Sequence, residues 1–392
     1  LLTLIKNGEV YAPAYRGKKD ILLAGGKIVE MKDEIDLSGT SLSVHEIDAE
    51  EKLIVPGFID AHVHLIGGGG EGGFKTRTPE ISLTDATLSG ITTLVGVLGT
   101  DGTTRRMESL LAKAHALEEE GVTCFVHTGS YQIPVKTLTG SIESDLIFID
   151  KIIGVGEIAI SDHRSSQPTF NELVKIAAAA RNGGMLSGKA GVLEIHVGDS
   201  ADKLRLLEEL AANTDIPIRH FHPTHINRNR ELFDAGIQYA LKGGYVDFTT
   251  SSADQSRKKE KEKVKCSKAL RLMLEKRVSI SAITFSSDGQ GSLPIFHSDR
   301  EYAGLQVGKV KSLYDEVKDA VKNEGIPLET ALRVITSNPA EILKLHTKGT
   351  IEKEKDADLV LLEKDSLTIH SVLAKGRLMV ENKQPIVKGA FE

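Results

Sequence analysis

The feature that most restricts this chain is the repeated alternation of short apolar runs with longer amphipathic stretches through its middle. The runs read TTLVGVLG, TCFVHTGSY, GVGEIAIS, GVLEIHVG, YVDFTTSS and SAITFSSDG. Between them lie SLLAKAHALEEEG, FNELVKIAAAARNGG, SADKLRLLEELAAN and SKALRLMLEKRV, which read as helices. Parallel strands need crossover connections, usually helical, so this order demands a parallel sheet. Its extent, residues 56–345, suits a closed (β/α)8 TIM-like barrel better than an open sheet.

The two ends have a different texture. LLTLIKNGEVYAP and DILLAGGKIVEM are aliphatic and β-branched runs, broken by Asn7-Gly8 and Gly25-Gly26, pairs that favour hairpin turns. ADLVLLE and IHSVLAKGRLMV, with a turn near Glu381-Asn382, repeat that texture at the other end. Residues 1–55 and 346–392 are therefore expected to build one small β-sandwich domain beside the α/β barrel.

Composition narrows the function classes. With 392 residues, 40% apolar and 27% charged, the chain has the make-up of a soluble globular protein. A net charge of -6 speaks against nucleic acid as a partner. No apolar stretch reaches the ~20 residues of a membrane span, so no membrane partner is expected. Cys124 and Cys266 are too few for a disulfide framework, and the first residues show no basic segment with a cleavage site, so a cytoplasmic location is expected. Arg257–Lys265, RKKEKEKVK, reads as a solvated face or mobile loop and is assigned no chemistry.

Chemistry is expected at the strand ends, where barrels of this type carry their active sites. LIVPGFIDAHVHL ends in His62 and His64. Residues at i and i+2 of a strand point the same way, so the two imidazoles can converge on one cation. Gly67–Gly70 follow, with Glu71 behind them; such a loop lets backbone approach a ligand closely but is costly to order. Glu157, His196, His225 and Asp288 terminate later strands. Together these four imidazoles and two carboxylates suit two Zn²⁺-like ions with open positions for water. His220 and His222 compete with His225 for its place; His225 is preferred because Asn227-Arg228 open a loop behind it. His45, His115, His346 and His370 read as structural or exposed.

A barrel with HVH, later single histidines and a terminal aspartate resembles the amidohydrolase superfamily. Within it, HVHLIGGGGEGG, LLAKAHALEEEG, ISDHRS, HVGDS, PTHINRN and SSDGQGS resemble the isoaspartyl dipeptidase family over almost the whole chain. The resemblance implies that His62, His64, His196, His225 and Asp288 hold two metals around a bridging carboxylated lysine. Here the chain departs from the pattern. The family lysine lies seven residues before the arginine of SDHR, and that position is Glu157, seven before Arg164. A glutamate also offers two oxygens that can bridge two cations. Tyr131 resembles the family tyrosine that hydrogen-bonds the carbonyl oxygen as it becomes an oxyanion, and Gly69 and Thr100 resemble further substrate contacts.

Two cations sharing one water give a hydroxide near neutral pH and polarise a carbonyl, and Asp288 is expected to act as general base and then acid. A β-aspartyl dipeptide carries one free amine and two carboxylates. Glu71 can meet the amine, while Arg164 and Arg228, with Ser292, can bind the carboxylates; which arginine serves which stays open. The expectation is a metal-dependent β-aspartyl (isoaspartyl) dipeptidase with two Zn²⁺ per subunit and small dipeptides as substrates. The resemblance also implies a homo-oligomer. The alternatives are another amidohydrolase, acting on a cyclic amide or an N-acyl amino acid, or a non-catalytic scaffold of the same fold.

Overall fold

The alternating middle of the chain forms eight parallel strands in a computed structural model that describes residues 2–39, 41, 43–251, 263–296 and 302–392. Six of them, from Phe58–Val63 to Phe221–Thr224, form one sheet in chain order, and Val246–Thr249 pairs with Ile283–Ser286. Backbone hydrogen bonds bridge both remaining seams. Ile226 N donates to Asp247 O at 3.2 Å; Asp288 N donates to His62 O at 3.1 Å, and His64 N to Gly289 O at 2.9 Å. The second seam closes the barrel through the backbone of three expected metal ligands, so the first and last strands fix His62, His64 and Asp288 against one another.

The strands are buried on both faces, as in Ile91–Gly96 and Val192–Val197, which is why they read as continuous apolar runs rather than alternating ones. The helices lie outside. Phe170–Ser187 starts at a capping box made by Thr169 and Glu172 and stops at Gly188, whose φ of 72° is left-handed. Leu173, Ile176, Ala177 and Ala180 form its buried stripe. The stretch from Ser200 becomes helical only at Arg205.

Glu157 departs from the expected position. It lies inside the strand Ile152–Ile160 rather than at its end. Leu193 pairs with Val155 but Ile195 with Ile158, so Gly156-Glu157 forms a bulge. A bulge re-aims a side chain by breaking the strand's alternation.

Both chain ends meet in a nine-stranded mixed sheet, joined where Lys52–Pro56 pairs antiparallel with Leu359–Glu363. Ile5, Ile21, Ile54, Leu359, Leu361 and Leu373 belong to its own apolar cluster. Gly25-Gly26 is a turn between strands, as expected, but Asn7-Gly8 is not. The strand Leu2–Tyr11 runs straight through it with a bulge, because Asp20 Oδ1 accepts from Asn7 N at 3.0 Å and Asp48 Oδ1 from Asn7 Nδ2 at 3.0 Å. Polar anchors tie this sheet to the barrel: Lys348 Nζ reaches Asp358 Oδ2 at 2.6 Å, Asp356 Oδ2 at 2.9 Å and Thr123 Oγ1 at 2.6 Å. Among the described residues no helix is long and apolar enough to cross a membrane.

Phe58, fully buried at the start of the first barrel strand, stacks on Tyr314 with ring centroids 4.8 Å apart. Phe58→Ala should cost about 3–5 kcal/mol, the range for emptying a packed aromatic site, read as a lowered midpoint of denaturant unfolding.

Candidate metal centre

The strands bring the expected ligands around one buried carboxylate. Glu157 Oε2 lies 3.1 Å from His196 Nδ1, 3.5 Å from His62 Nε2 and 3.7 Å from His225 Nε2; its Oε1 lies 3.7 Å from His64 Nε2. Asp288 Oδ1 is 3.0 Å from His64 Nε2 and 3.8 Å from His62 Nε2. Two groups could each hold a cation: His62, His64 and Asp288, and His62, Glu157 and His225. His196 stands outside both groups. Its Nδ1 also meets the Tyr131 hydroxyl at 2.8 Å, and its Nε2 faces Asp162 Oδ2 at 3.0 Å.

The donor set fits a metal. Among the described residues, His62 Nε2, His64 Nδ1 and Glu157 Oε1 are buried with no hydrogen-bond partner, and buried polar atoms are otherwise almost always paired. Two of these three atoms, His62 Nε2 and Glu157 Oε1, face into the cluster, where a cation would satisfy them.

Electrostatics follow from burial. Burial alone would raise the Glu157 carboxyl, but the His62 charge and hydrogen bonds from the surrounding imidazoles hold it well below the usual range. Asp288 behaves likewise: burial is outweighed by its hydrogen bond and charge interaction with His64. His225 is pushed down to about 3 by burial and by neighbouring His196. Burial and the Glu157 charge lift the Tyr131 phenol well above its ordinary value, so it keeps its proton.

Beneath this cluster lies a carboxylate that the sequence reading missed. Glu194 Oε1 accepts from His62 Nδ1 at 2.9 Å and its Oε2 lies 3.3 Å from His222 Nδ1. The hydrogen bond fixes which nitrogen of His62 faces the cluster. A signal existed: Glu194 stands two residues before His196, so both side chains point into the barrel. His222 lies in this lower layer, donating to or accepting from Thr284 Oγ1 at 2.9 Å, and His220 meets Ala177 O at 3.0 Å outside the cluster. Of the three competing histidines, only His225 joins it.

Above the cluster opens a pocket of 540 Å³. All seven expected substrate contacts line it: Gly69, Glu71, Thr100, Tyr131, Arg164, Arg228 and Ser292. The glycine loop reaches the pocket because Gly69 has φ 71° and a Cβ there would sit 2.6 Å from Thr76 O. Arg105 staples the loop from below, donating to Ile66 O and Thr78 O, each at 3.1 Å. Glu71 Oε1 accepts from Thr100 Oγ1 at 3.1 Å and from Arg164 Nη1 at 3.2 Å. Arg164 donates through Nε and Nη2 to the two oxygens of Asp162, at 3.0 and 2.8 Å, a second partner the sequence reading missed although it sits in the same SDHR motif. Among the described residues Arg228 has no carboxylate partner, and its buried Nε has no hydrogen-bond partner.

The charged run Arg257–Lys265 needs a correction. Its residues 257–262 lie outside the described residues, but Lys263 does not belong to a purely solvated face. It lines the pocket, and its Nζ donates to Ser251 O at 2.5 Å. Burial pulls its ammonium below the ordinary lysine value.

Comparison with known proteins settles the family. Residues 53–389 match the Amidohydrolase family model. The chain belongs to that family. Amidohydrolases are hydrolases and are generally metal-dependent, which agrees with the donor set described above. A solved structure of the β-aspartyl dipeptidase of Fervidobacterium islandicum AW-1, in complex with β-Asp-Leu dipeptide, is 43% identical, with a TM-score of 0.92 over 98% of this chain and 97% of that one. An allantoinase from Bacillus licheniformis is 26% identical over 93% of this chain and 87% of its own length. The dihydropyrimidinase of Brevibacillus agri NCHU1002, 17% identical with a TM-score of 0.67 over 100% and 97% of the two chains, shares the fold.

If Glu157 is the shared anion of the cluster, Glu157→Ala should lose at least one bound metal by elemental analysis. The metal-stripped wild-type chain should also recover its metal in CO₂-free buffer, because a glutamate carries its carboxylate without modification. Unchanged metal content in the variant, or a bicarbonate requirement in the wild type, would place the bridge on another residue.

Proposed function

We propose that this amidohydrolase is a metal-dependent β-aspartyl dipeptidase. The observation that carries the reading is the charge pattern of the pocket: Glu71 keeps one open oxygen and Arg228 and Lys263 pair with no carboxylate among the described residues, while of the other lining carboxylates Asp162 is held by Arg164, Asp288 belongs to the cluster and Asp199 is exposed. A β-aspartyl dipeptide presents the complement, one ammonium and two carboxylates. The Fervidobacterium relative bound to β-Asp-Leu supports the same substrate class.

Metal ions held by His62, His64, Glu157, His196, His225 and Asp288, two Zn²⁺ in this reading, would supply a lowered water pKa and a polarised carbonyl. The chain's own groups do the rest. Asp288, ionised and opening onto the pocket, takes the proton of the attacking water and delivers it to the leaving amine. Tyr131, which keeps its proton, donates a hydrogen bond to the carbonyl oxygen as charge develops there. Thr100 and Arg164 both occupy Oε1 of Glu71, leaving Oε2 for the substrate ammonium. Gly69 and Ser292 close the wall beside it, where a Cβ on Gly69 would stand 3.0 Å from the Ser292 Cβ. A cytoplasmic location and assembly of several copies of the chain belong to the same proposal, as do the small β-domain from residues 1–55 and 346–392 and the catalytic barrel of 56–345.

A second reading, hydrolysis of a cyclic amide, draws on the allantoinase relative. One substrate panel separates the two. β-Asp-Leu should be cleaved far faster than α-Asp-Leu, whose amide sits one carbon away, and faster than hydantoins or N-acyl amino acids. Equal rates on the two aspartyl isomers, or a preference for the ring, would reject the dipeptidase reading. Asp288→Asn should cut turnover by a factor of ~100 or more while keeping most of the bound metal. Near-normal turnover in that variant would show that the proton travels by another route.

A further inference from the structure

The pocket holds three cationic side chains, and their charges are not equally available. Arg164 is committed: Asp162 grips its fork and Glu71 takes a third bond. Arg228 lies at the depth of the metal cluster, with Nη2 3.4 Å from His196 Nε2. Lys263 occupies a different wall. Its Nζ is tethered to the carbonyl of Ser251, whose own N donates to Ser287 O at 3.3 Å and whose Oγ donates to Lys309 O at 3.4 Å. Those contacts set Lys263 beside the base of the hairpin formed by Ser292–Phe296 and Tyr302–Val307. Two half-buried residues of that hairpin, Leu293 and Leu305, also line the pocket, although the strand register puts them on opposite faces of the hairpin. An ammonium has three donors; the Ser251 carbonyl uses one and leaves two. Lys263 pairs with no carboxylate among the described residues.

We infer that Lys263, beside the base of the hairpin, forms the subsite for the residue released from the dipeptide and binds its terminal carboxylate. The inference rests on the dipeptidase reading and deepens it. The pocket then divides in two. Glu71, Thr100, Arg164 and Tyr131 face the aspartyl half, and the hairpin side faces the leaving residue. Arg228, set between them at the level of the cluster, is left for the remaining carboxylate of the aspartyl half. A leaving residue bound at Lys263 carries its carboxylate on a lysine, so the subsite should favour residues with a free C-terminus.

The test compares β-Asp-Leu with its C-terminal amide in the wild type and in Lys263→Met, a substitution that keeps the stem and removes the charge. The wild type should favour the acid over the amide in kcat/KM by about tenfold to a hundredfold, the range for a hydrogen bond to a charged group. In Lys263→Met that preference should collapse toward one, mainly through a rise in KM for the acid, and Lys263→Arg should restore part of it. A wild type indifferent to amidation would overturn the inference whether or not the variant folds. So would a variant that keeps the full preference. If instead the wild type cleaves β-Asp-Leu no faster than α-Asp-Leu, the dipeptidase reading itself falls, and the two failures are told apart.

Discussion

A carboxylate sunk in the centre of the barrel, Glu157, is the constraint on which the site depends. An isolated buried carboxylate is too costly to stay ionised, and it would take up a proton instead. Glu157 escapes this because imidazoles from three other strands or strand ends surround it. The same solution recurs one layer down, where Glu194 sits between His62 and His222. The floor of the barrel continues in this way: Asp247 takes hydrogen bonds from Thr224, Thr284 and Ser286, and burial pushes Asp60 up to about 7 against the bonds it accepts from Ser287. The barrel interior is therefore a stack of acids and imidazoles, while the apolar core lies between strands and helices. Buried ionic groups contribute little net stability. Their placement here has its use in ligand orientation, since each layer fixes the ring nitrogens of the one above.

Precision at the pocket comes from tying loops to this rigid interior. The loop after His64 contains four consecutive glycines and would be disordered by itself. Arg105 holds its two stems, and Gly68 N donates to Thr78 Oγ1 at 2.6 Å. Gly99 is needed on the opposite side, because a Cβ there would come within 2.9 Å of the His64 ring. The glycines thus serve close approach of backbone to the cluster, and the staples remove the freedom that glycine brings. Glu71 is carried into the pocket by that stapled loop and is itself fixed by Thr100 and Arg164.

The alternation of apolar runs and helical stretches was enough to anticipate a barrel, because a parallel sheet buried on both faces leaves few other patterns. Five of the six expected metal ligands fall into the two candidate cation groups and His196 lies against Glu157 beside them, through the rule that i and i+2 share a strand face and through the tendency of barrel chemistry to sit at strand ends. What escaped had definite causes. The depth of Glu157 depends on a bulge, which follows from pairing with the neighbouring strand and leaves no local mark. Asn7-Gly8 looks like a turn, yet Asp20 and Asp48, distant in sequence, hold it as a bulge. Glu194 obeyed the very spacing applied to His62 and His64, and a charged residue inside an apolar strand was a usable signal that went unread. Lys263 had none, since a lysine among eight other charged or apolar residues of one run cannot be distinguished before the Ser251 carbonyl is seen beside it.

The distribution of charge in the pocket also bears on which amidohydrolase chemistry the chain is built for. A neutral cyclic amide would leave Arg228 and Lys263 facing the pocket without anionic partners once water is displaced, and a desolvated unpaired cation is strongly disfavoured. Arg164 would be untouched by such a ligand, because Asp162 and Glu71 already satisfy it. A zwitterion with two carboxylates and one ammonium satisfies the two open cations and the open oxygen of Glu71 together. In the dipeptidase reading, discrimination would come from the penalty for leaving those groups unpaired, which acts against uncharged ligands even when the amide itself is equally reactive. Metal held by the cluster would activate many amides alike, so in the dipeptidase reading the open charges of the pocket would select the ligand.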